Sequence, residues 1–273
     1  MPKQRRSALR FVCLLSLAVI SCTGTTDTHL KLIAHRGGIV DPSYAENSPG
    51  AVEAAIRRGY WMIETDVRES KDGHLVVQHD PDFTDFYGDP RLVADMTWDE
   101  IKQLRAEPGG SRPIEFHELA ALCKGRMRLM MDTKPPSHPE AFYRSMEASL
   151  RENDLLDSAY FIGTEESQAW FKGKCRIGVD RDTLRRAATG EDVSKLYFLF
   201  EHGRTLDAEG VALARKLGVP AVVSINIFHY DDTPDPMKSA RADTERLLEQ
   251  GVTYFQIDSV YDPFLLDAPT QTP

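Results

Sequence analysis

Short apolar runs recur along this chain, separated by turn residues and helical stretches, and several of them end on a titratable side chain. Leu32-Ile33-Ala34 leads into His35, Trp61-Met62-Ile63 into Glu64, and Leu75-Val76-Val77 towards His79. Apolar runs of this length bounded by turn residues read as buried strands. Strand-like runs fit 31–35, 61–67, 75–79, 127–133, 159–163, 176–180, 196–200, 221–226 and 254–258. Helical stretches fit 49–59, 98–106, 115–124, 139–153, 165–172, 207–217 and 239–250. The first of these carries Ala51, Ala54, Ala55 and Ile56 and stops at Gly59, a good helix terminator. Such alternation over 273 residues predicts one α/β barrel domain, with no internal repeat and no interdomain linker. The nine strand candidates exceed an eight-stranded barrel by one, so one lies outside the barrel or is not a strand.

The spacing of the polar groups carries chemical meaning. Strand side chains alternate faces, so Glu64 and Asp66 point the same way. Two carboxylates side by side repel unless a cation sits between them, and hard divalent cations prefer oxygen ligands. An isolated Glu-x-Asp is more often a solvated strand end balanced by a Lys or Arg. Two strand-end histidines nearby in sequence reverse that preference. His35 and His79 each follow an apolar run and precede a charged residue, Arg36 and Asp80. Such a pair suits general acid–base work near neutral pH. His29, His74, His117, His138, His202 and His229 lack this setting and read as ordinary surface or satisfied core residues.

The order of these pieces resembles the glycerophosphodiester phosphodiesterase family. The resemblance rests on His35-Arg36-Gly37, Glu46-Asn47-Ser48, Glu64-Thr65-Asp66, Lys71-Asp72-Gly73 and Val76-Val77-Gln78-His79-Asp80. It continues through Pro113–Leu119, Met131-Asp132-Thr133-Lys134-Pro135 and Gly251–Ser259, so it spans roughly residues 31–266. It implies a TIM (β/α)8 barrel of metal-dependent phosphodiesterases using Ca²⁺ or Mg²⁺. It implies metal ligands at Glu64, Asp66 and Asp132, acid–base roles for His35 and His79, and phosphate contacts from Arg36 and Lys134. Glu46 and Asn47 are expected at the rim beside His35 as substrate-binding residues, with Asn226 and Asp258 as secondary site residues. The alternative for Arg36 and Lys134, less favoured, is a structural ion pair with the carboxylates, and for Asn226 and Asp258 a helix cap or turn role.

This chain departs from the family pattern in places. Asp132 stands where the family usually has Glu, and Ser48 where it has Thr. Ile162-Gly163-Thr164 replaces a Ser-Phe pair often found there. The shorter Asp132 reaches less far, which enlarges the site, admits a bridging water or changes the preferred metal. Residues 81–97 read as an irregular loop expected to overhang the site, with Phe83, Phe86 and Tyr87 more suited to anchoring the loop than to touching substrate.

Residues 1–21 have a signal-peptide pattern: Lys3, Arg5, Arg6 and Arg10 precede an apolar run from Phe11 to Ile20. The ending Val19-Ile20-Ser21-Cys22 resembles a bacterial lipoprotein processing site, which implies a lipid-bearing Cys22 and membrane attachment outside the cytoplasm. Without processing at Cys22 the product is a released, secreted protein. Residues 22–29 then form a tether, 30–267 the barrel and 268–273 a tail. Removing residues 1–21 deletes four cations and no acids and takes the net charge from −9 to −13. So acidic a protein is a poor nucleic-acid binder, and an anionic substrate must be captured locally. Cys123 and Cys175 remain as a possible disulfide.

The favoured reading is hydrolysis of glycerophosphodiesters, a small-molecule substrate class, to an alcohol and glycerol 3-phosphate. The alternatives are hydrolysis of lysophospholipid or sphingolipid headgroups on the same barrel, or a non-catalytic anchored binding protein.

Overall fold

The computed structural model describes residues 29–38, 43–107 and 109–266. The signal segment, Cys22, nearly all of the tether and the tail lie outside the described residues. Among the described residues no helix is long and apolar enough to cross a membrane.

In chain order the strands are β1 (Lys31–Ala34), β2 (Met62–Glu69), β3 (Leu75–Val77), β4 (Asp82–Phe83), β5 (Asp89–Leu92) and β6 (Arg128–Thr133). They continue with β7 (Tyr160–Gly163), β8 (Arg176–Val179), β9 (Tyr197–His202), β10 (Ala221–Ile225) and β11 (Tyr254–Ile257). Strands β1, β2 and β6 to β11 pair in parallel, and β1 bonds both β2 and β11, which closes an eight-stranded barrel. The surplus candidate is β3. It pairs antiparallel with β2, Val67 opposite Val77, because a tight turn at Lys71-Asp72-Gly73 folds the chain straight back. His79 therefore leaves an antiparallel appendage rather than a barrel strand.

Helices pack outside the barrel where most of the predicted stretches lie, but the stretch 98–106 is helical only over Trp98–Ile101. Pro49–Arg58 begins at Ser48, whose side chain accepts from the Ala51 N–H, and ends at left-handed Gly59. Two further helices, Arg181–Ala187 and Val193–Leu196, fall in stretches whose apolar periodicity is too short to show. The main core lies between the barrel wall and these helices. Inside the barrel, Ile33, Met62, Met130, Tyr160, Phe198 and Val222 fill a smaller layer. Gly178 of β8 faces this layer, where a Cβ would stand 2.7 Å from Ile162 and from Phe198, so glycine makes room for the aromatic packing.

Residues 81–97 are not irregular. They form the β4–β5 hairpin and short helical turns. Phe83, Val93 and Met96 bury with Val76 and Ile101, and Tyr87 packs against them. Phe83 and Tyr87 thus anchor the segment. Cys123 and Cys175 are both buried and unpaired, and burial pushes each thiol up to about 12. The possible disulfide is not formed, and each cysteine packs as a small core residue.

Candidate active site and metal centre

The inner layer explains where the polar groups go. Moving two residues along a strand keeps the same face, so Ile33 is followed by His35, Met62 by Glu64 and Asp66, and Met130 by Asp132 and Lys134. Likewise Val222 leads through Ser224 to Asn226, and Tyr254 through Gln256 to Asp258. The β2–β6 register sets Asp66 directly beside Asp132. All these residues emerge at the carboxyl ends of the barrel strands, where barrel enzymes place their chemistry.

One carboxylate oxygen from each of Glu64, Asp66 and Asp132 lies within 4.8 Å of the other two. Glu64 and Asp66 are fully buried, while Asp132 is partly exposed. Lys134 Nζ lies 2.8 Å from Asp66 Oδ1 and 2.7 Å from Asp132 Oδ2. One ammonium thus faces three acids. Burial, and then Asp66, push the Glu64 carboxyl well above its ordinary range. Burial would raise Asp66 too, but Lys134 and His79 hold it below its ordinary value. Burial opposes charge on Lys134, yet Asp66, Asp132 and Glu64 keep its pKa raised.

His35 is oriented by one acid. Its Nδ1 lies 2.6 Å from Asp258 Oδ1, and its Nε2 lies 4.0 Å from Glu64 Oε2 and 3.5 Å from Asn226 Nδ2. Burial would raise Asp258, but His35 holds it low, so the carboxylate accepts the Nδ1 proton and leaves Nε2 as acceptor. His79 repeats the pattern, with Nδ1 2.8 Å from Asp80 Oδ1. Burial lowers the His79 pKa. Arg36 joins the two histidine environments. Its backbone N–H donates to Glu64 at 2.9 Å, its Nη1 to Glu46 at 2.9 Å, and its Nη2 meets His79 Nε2 at 3.2 Å. The Arg36 backbone is left-handed, with φ 52°. A Cβ on the following Gly37 would lie 2.6 Å from the Asn47 Cα, so this tight turn requires glycine.

Asn47 is not at the rim, whereas Glu46 lines the cleft beside His35 from a buried position. Both are buried, because the Asn47 N–H donates to the Arg36 carbonyl at 2.8 Å and draws the segment inward. Asn47 Nδ2 then donates to Asp66 Oδ2 at 3.0 Å, and Asn47 Oδ1 accepts from Thr65 Oγ1. Asn47 positions a carboxylate from below. Burial pushes Glu46 up to about 7 despite Arg36.

Of seven buried side-chain polar atoms without a hydrogen-bond partner among the described residues, four are here: Arg36 Nε, Glu46 Oε1, Asp66 Oδ1 and Asn226 Oδ1. The Asp66 oxygen touches Lys134 but is not aligned for a hydrogen bond. Buried polar atoms are normally satisfied, so this concentration marks a site built for something else to complete. Three hard oxygen donors with one partly unsatisfied carboxylate fit a divalent cation of the Ca²⁺ or Mg²⁺ type.

A cleft of about 330 Å³ opens beside His35, Arg36 and Glu46, and its other wall is Ile227, Phe228 and Val260. Residues 81–97 do not line it. They line a neighbouring cavity of about 480 Å³ with Arg68 and Pro135, because their own small core holds them to β3.

A model of the glycerophosphoryl diester phosphodiesterase family matches residues 35–248. The chain belongs to that family. It is 30% identical over 128 residues to a Mycobacterium tuberculosis protein named "Probable glycerophosphodiester phosphodiesterase 2", covering 47% of each. It is 41% identical over 75 residues to a glycerophosphodiester phosphodiesterase of Caldanaerobacter subterraneus, covering 28% of this chain and 30% of that one. The matches thus span less than half the length of these relatives. The fold is shared with a glycerophosphoryl diester phosphodiesterase from Parabacteroides distasonis, at TM-score 0.71, 18% identity and 90% coverage of both chains. It is also shared with an Oleispira antarctica phosphodiesterase solved with the product sn-glycerol-3-phosphate. That match has TM-score 0.65 and 20% identity, and covers 84% of this chain and 92% of that one.

Reading the sequence missed three contributors. Arg68, two residues past Asp66, donates to the His79 carbonyl from Nε at 3.0 Å and Nη2 at 2.6 Å, and to the Pro135 carbonyl at 3.1 Å. Strand parity alone could have flagged it. Asp80 orients His79, and adjacency in sequence was its only signal. The apolar wall of the cleft had no signal, because its residues lie in short turns after β10 and β11.

Proposed function

We propose that this chain hydrolyses glycerophosphodiesters to an alcohol and glycerol 3-phosphate, with a divalent cation held by Glu64, Asp66 and Asp132. The observation that carries the reading is this carboxylate trio, two of its members fully buried, beside two histidines, each with Nδ1 held by an acid. A bound cation would offset phosphate charge as it builds in the transition state. Arg36 and Lys134 supply the remaining positive charge for the phosphate oxygens. His35 Nε2 is the base: Asp258 fixes its tautomer, so Nε2 takes the proton of the attacking water or of a neighbouring substrate hydroxyl. A new P–O bond forms, the P–O bond to the leaving alcohol breaks, and His79 returns a proton to that alcohol from Nε2. An arriving phosphodiester anion draws Arg36 away from His79 and favours the protonated imidazole there, against the lowering by burial. Attack by a substrate hydroxyl expels the alcohol and leaves a cyclic phosphate; water then forms a P–O bond as one ring P–O bond breaks, giving the same products.

We also propose that residues 1–21 direct export and that Cys22 carries the lipid anchor; labelling with a radioactive fatty acid, lost in Cys22→Ala, checks this. The hydrolytic reading is tested by release of glycerol 3-phosphate from glycerophosphocholine with EDTA, Mg²⁺ or Ca²⁺. Metal-dependent release that disappears in His35→Ala supports it. No release with any metal returns the chain to the binding-protein reading.

A further inference from the structure

The two histidines reach the site from different foundations. His35 directly follows the barrel strand β1, whereas His79 lies two residues beyond β3, the strand that turns back on β2 outside the barrel. Glu64 and Asp66 ride on β2, Asp132 on β6, and Lys134 one residue past it. A proton donor on an appendage needs a tie to the barrel, because a misplacement of about 1 Å costs on the order of 10²-fold in rate.

Arg68 supplies that tie. It leaves β2 on the same face as Glu64 and Asp66. Its Nε and Nη2 donate to the His79 carbonyl at 3.0 and 2.6 Å, and its Nη1 donates to the Pro135 carbonyl at 3.1 Å. One planar fork thus joins the backbone of His79 to the backbone next to Lys134, a geometry that a point-like ammonium does not reproduce. The next residue, Glu69, braces the same segment: its Oε2 lies 3.1 Å from His138 Nδ1, and His138 Nε2 lies 3.0 Å from the Lys134 carbonyl. Asp66, Asp80 and Asp132 all attract the Arg68 charge, yet among the described residues its hydrogen bonds go to two carbonyls and to no carboxylate. The guanidinium is spent on backbone geometry rather than on neutralising an acid.

Resting on the reading of His79 as the group that protonates the leaving alcohol, we propose that Arg68 is the positioning residue of that step. It acts through the His79 carbonyl and keeps the imidazole at the leaving oxygen. As the P–O bond to the alcohol breaks, the alkoxide takes the proton of His79 Nε2. With the imidazole displaced, the alkoxide must leave unprotonated, and slowly. A leaving group that is a stable anion, such as 4-nitrophenolate, departs without that proton and does not need the tie.

The test compares kcat/KM of the full chain, with Mg²⁺ or Ca²⁺, on glycerophosphocholine and on the 4-nitrophenyl ester of glycerol 3-phosphate. Arg68→Met keeps an unbranched stem and removes all three hydrogen bonds. It should lower kcat/KM for glycerophosphocholine about 10²-fold, a loss larger by about tenfold or more than that on the nitrophenyl ester. Arg68→Lys, which can hold one carbonyl but not both, should show the same selectivity to a smaller degree. His79→Ala should show it most strongly, and adding Arg68→Met to His79→Ala should leave the ratio between the substrates where it was. A loss of folded protein lowers both activities alike and cancels in that ratio. Equal losses on the two substrates in Arg68→Met, beside a selective His79→Ala, overturn the positioning role and leave the acid reading intact. A further change of the ratio in the double variant overturns action through His79. An unselective His79→Ala overturns the acid reading and the positioning role with it.

Discussion

Two arcs of the same barrel treat their inward-facing residues in opposite ways. Along β11, β1, β2 and β6 the inner layer passes from apolar residues to Asp258, His35, Glu64, Asp66 and Asp132. Along β7 and β9 it stays apolar, with Tyr160 and Ile162, then Phe198 and Phe200. Asp180 and Glu201, at the ends of strands in the second arc, are spent locally, although Nδ1 of His202 at the end of β9 has no hydrogen-bond partner among the described residues. Asp180 caps the helix Arg181–Ala187, and Glu201 takes both Nε and Nη2 of Arg181 at 2.8 Å. In the first arc, three acids face one ammonium and polar atoms are left unmatched. Strand ends alone do not make a site. What separates the arcs is whether the charges there are already satisfied.

The largest expected effect breaks the first arc. Asp66→Asn should lower kcat/KM by about 10³-fold or more, through loss of a metal-facing oxygen. The metal-free variant should melt lower than the wild type, because the ionised Asp66 that pairs with Lys134 and accepts from Asn47 is gone, and calorimetric melting in EDTA checks this. Next, Asp258→Asn leaves His35 in place but no longer fixes its Nδ1 proton. A fall in kcat on the order of 10²-fold is expected, with KM for glycerophosphocholine changed much less. Parallel losses in both parameters would show that Asp258 acts on binding instead.

A third prediction concerns pH. Folded Glu46 sits at about 7 against 4.5 when unfolded. Its protonated form is therefore favoured by folding, and that stability is complete below pH 4.5 and lost as pH rises through 7. Glu64 acts in the same direction, whereas His79 and His229, lowered by burial and His229 to about 4, act oppositely. The readout is consequently the difference between Glu46→Gln and wild type in EDTA. The variant should gain on the order of 3 kcal/mol relative to wild type between pH 4.5 and 7, followed by urea unfolding. A constant difference across that window would mean that Arg36 keeps Glu46 ionised.

The second arc sharpens the comparison from the other side. Glu201→Gln should cost about 1–3 kcal/mol of stability by leaving Arg181 half-paired, while kcat/KM stays close to wild type. Smallest of all, a reducing agent should leave the melting temperature unchanged, since Cys123 and Cys175 are not joined.

The first arc was largely legible because its chemistry rides on strand parity. Glu64 and Asp66 share a face by spacing alone, and His35 ends an apolar run that is visible by eye. The barrel itself followed from the alternation of runs. What stayed hidden depends on contacts between distant segments. Nothing local shows that β3 turns back on β2, that Glu46 and Asn47 are drawn inward by the Arg36 carbonyl, or that Asp258 reaches His35 across 223 positions. The hairpin in 81–97 was missed for a related reason: its strands are too short to show alternation, and its core is completed by Val76 and Ile101 from outside.

The most direct test of the central claim is titration calorimetry of Mg²⁺ and Ca²⁺ into the metal-stripped protein, wild type beside Asp66→Asn. The account predicts one ion per chain in the wild type, with protons released as it binds because Glu64 is held protonated without it, and no such binding in the variant. Equal binding by both proteins would place the ion elsewhere, and no binding in a protein that still hydrolyses glycerophosphocholine in EDTA would contradict the metal centre outright.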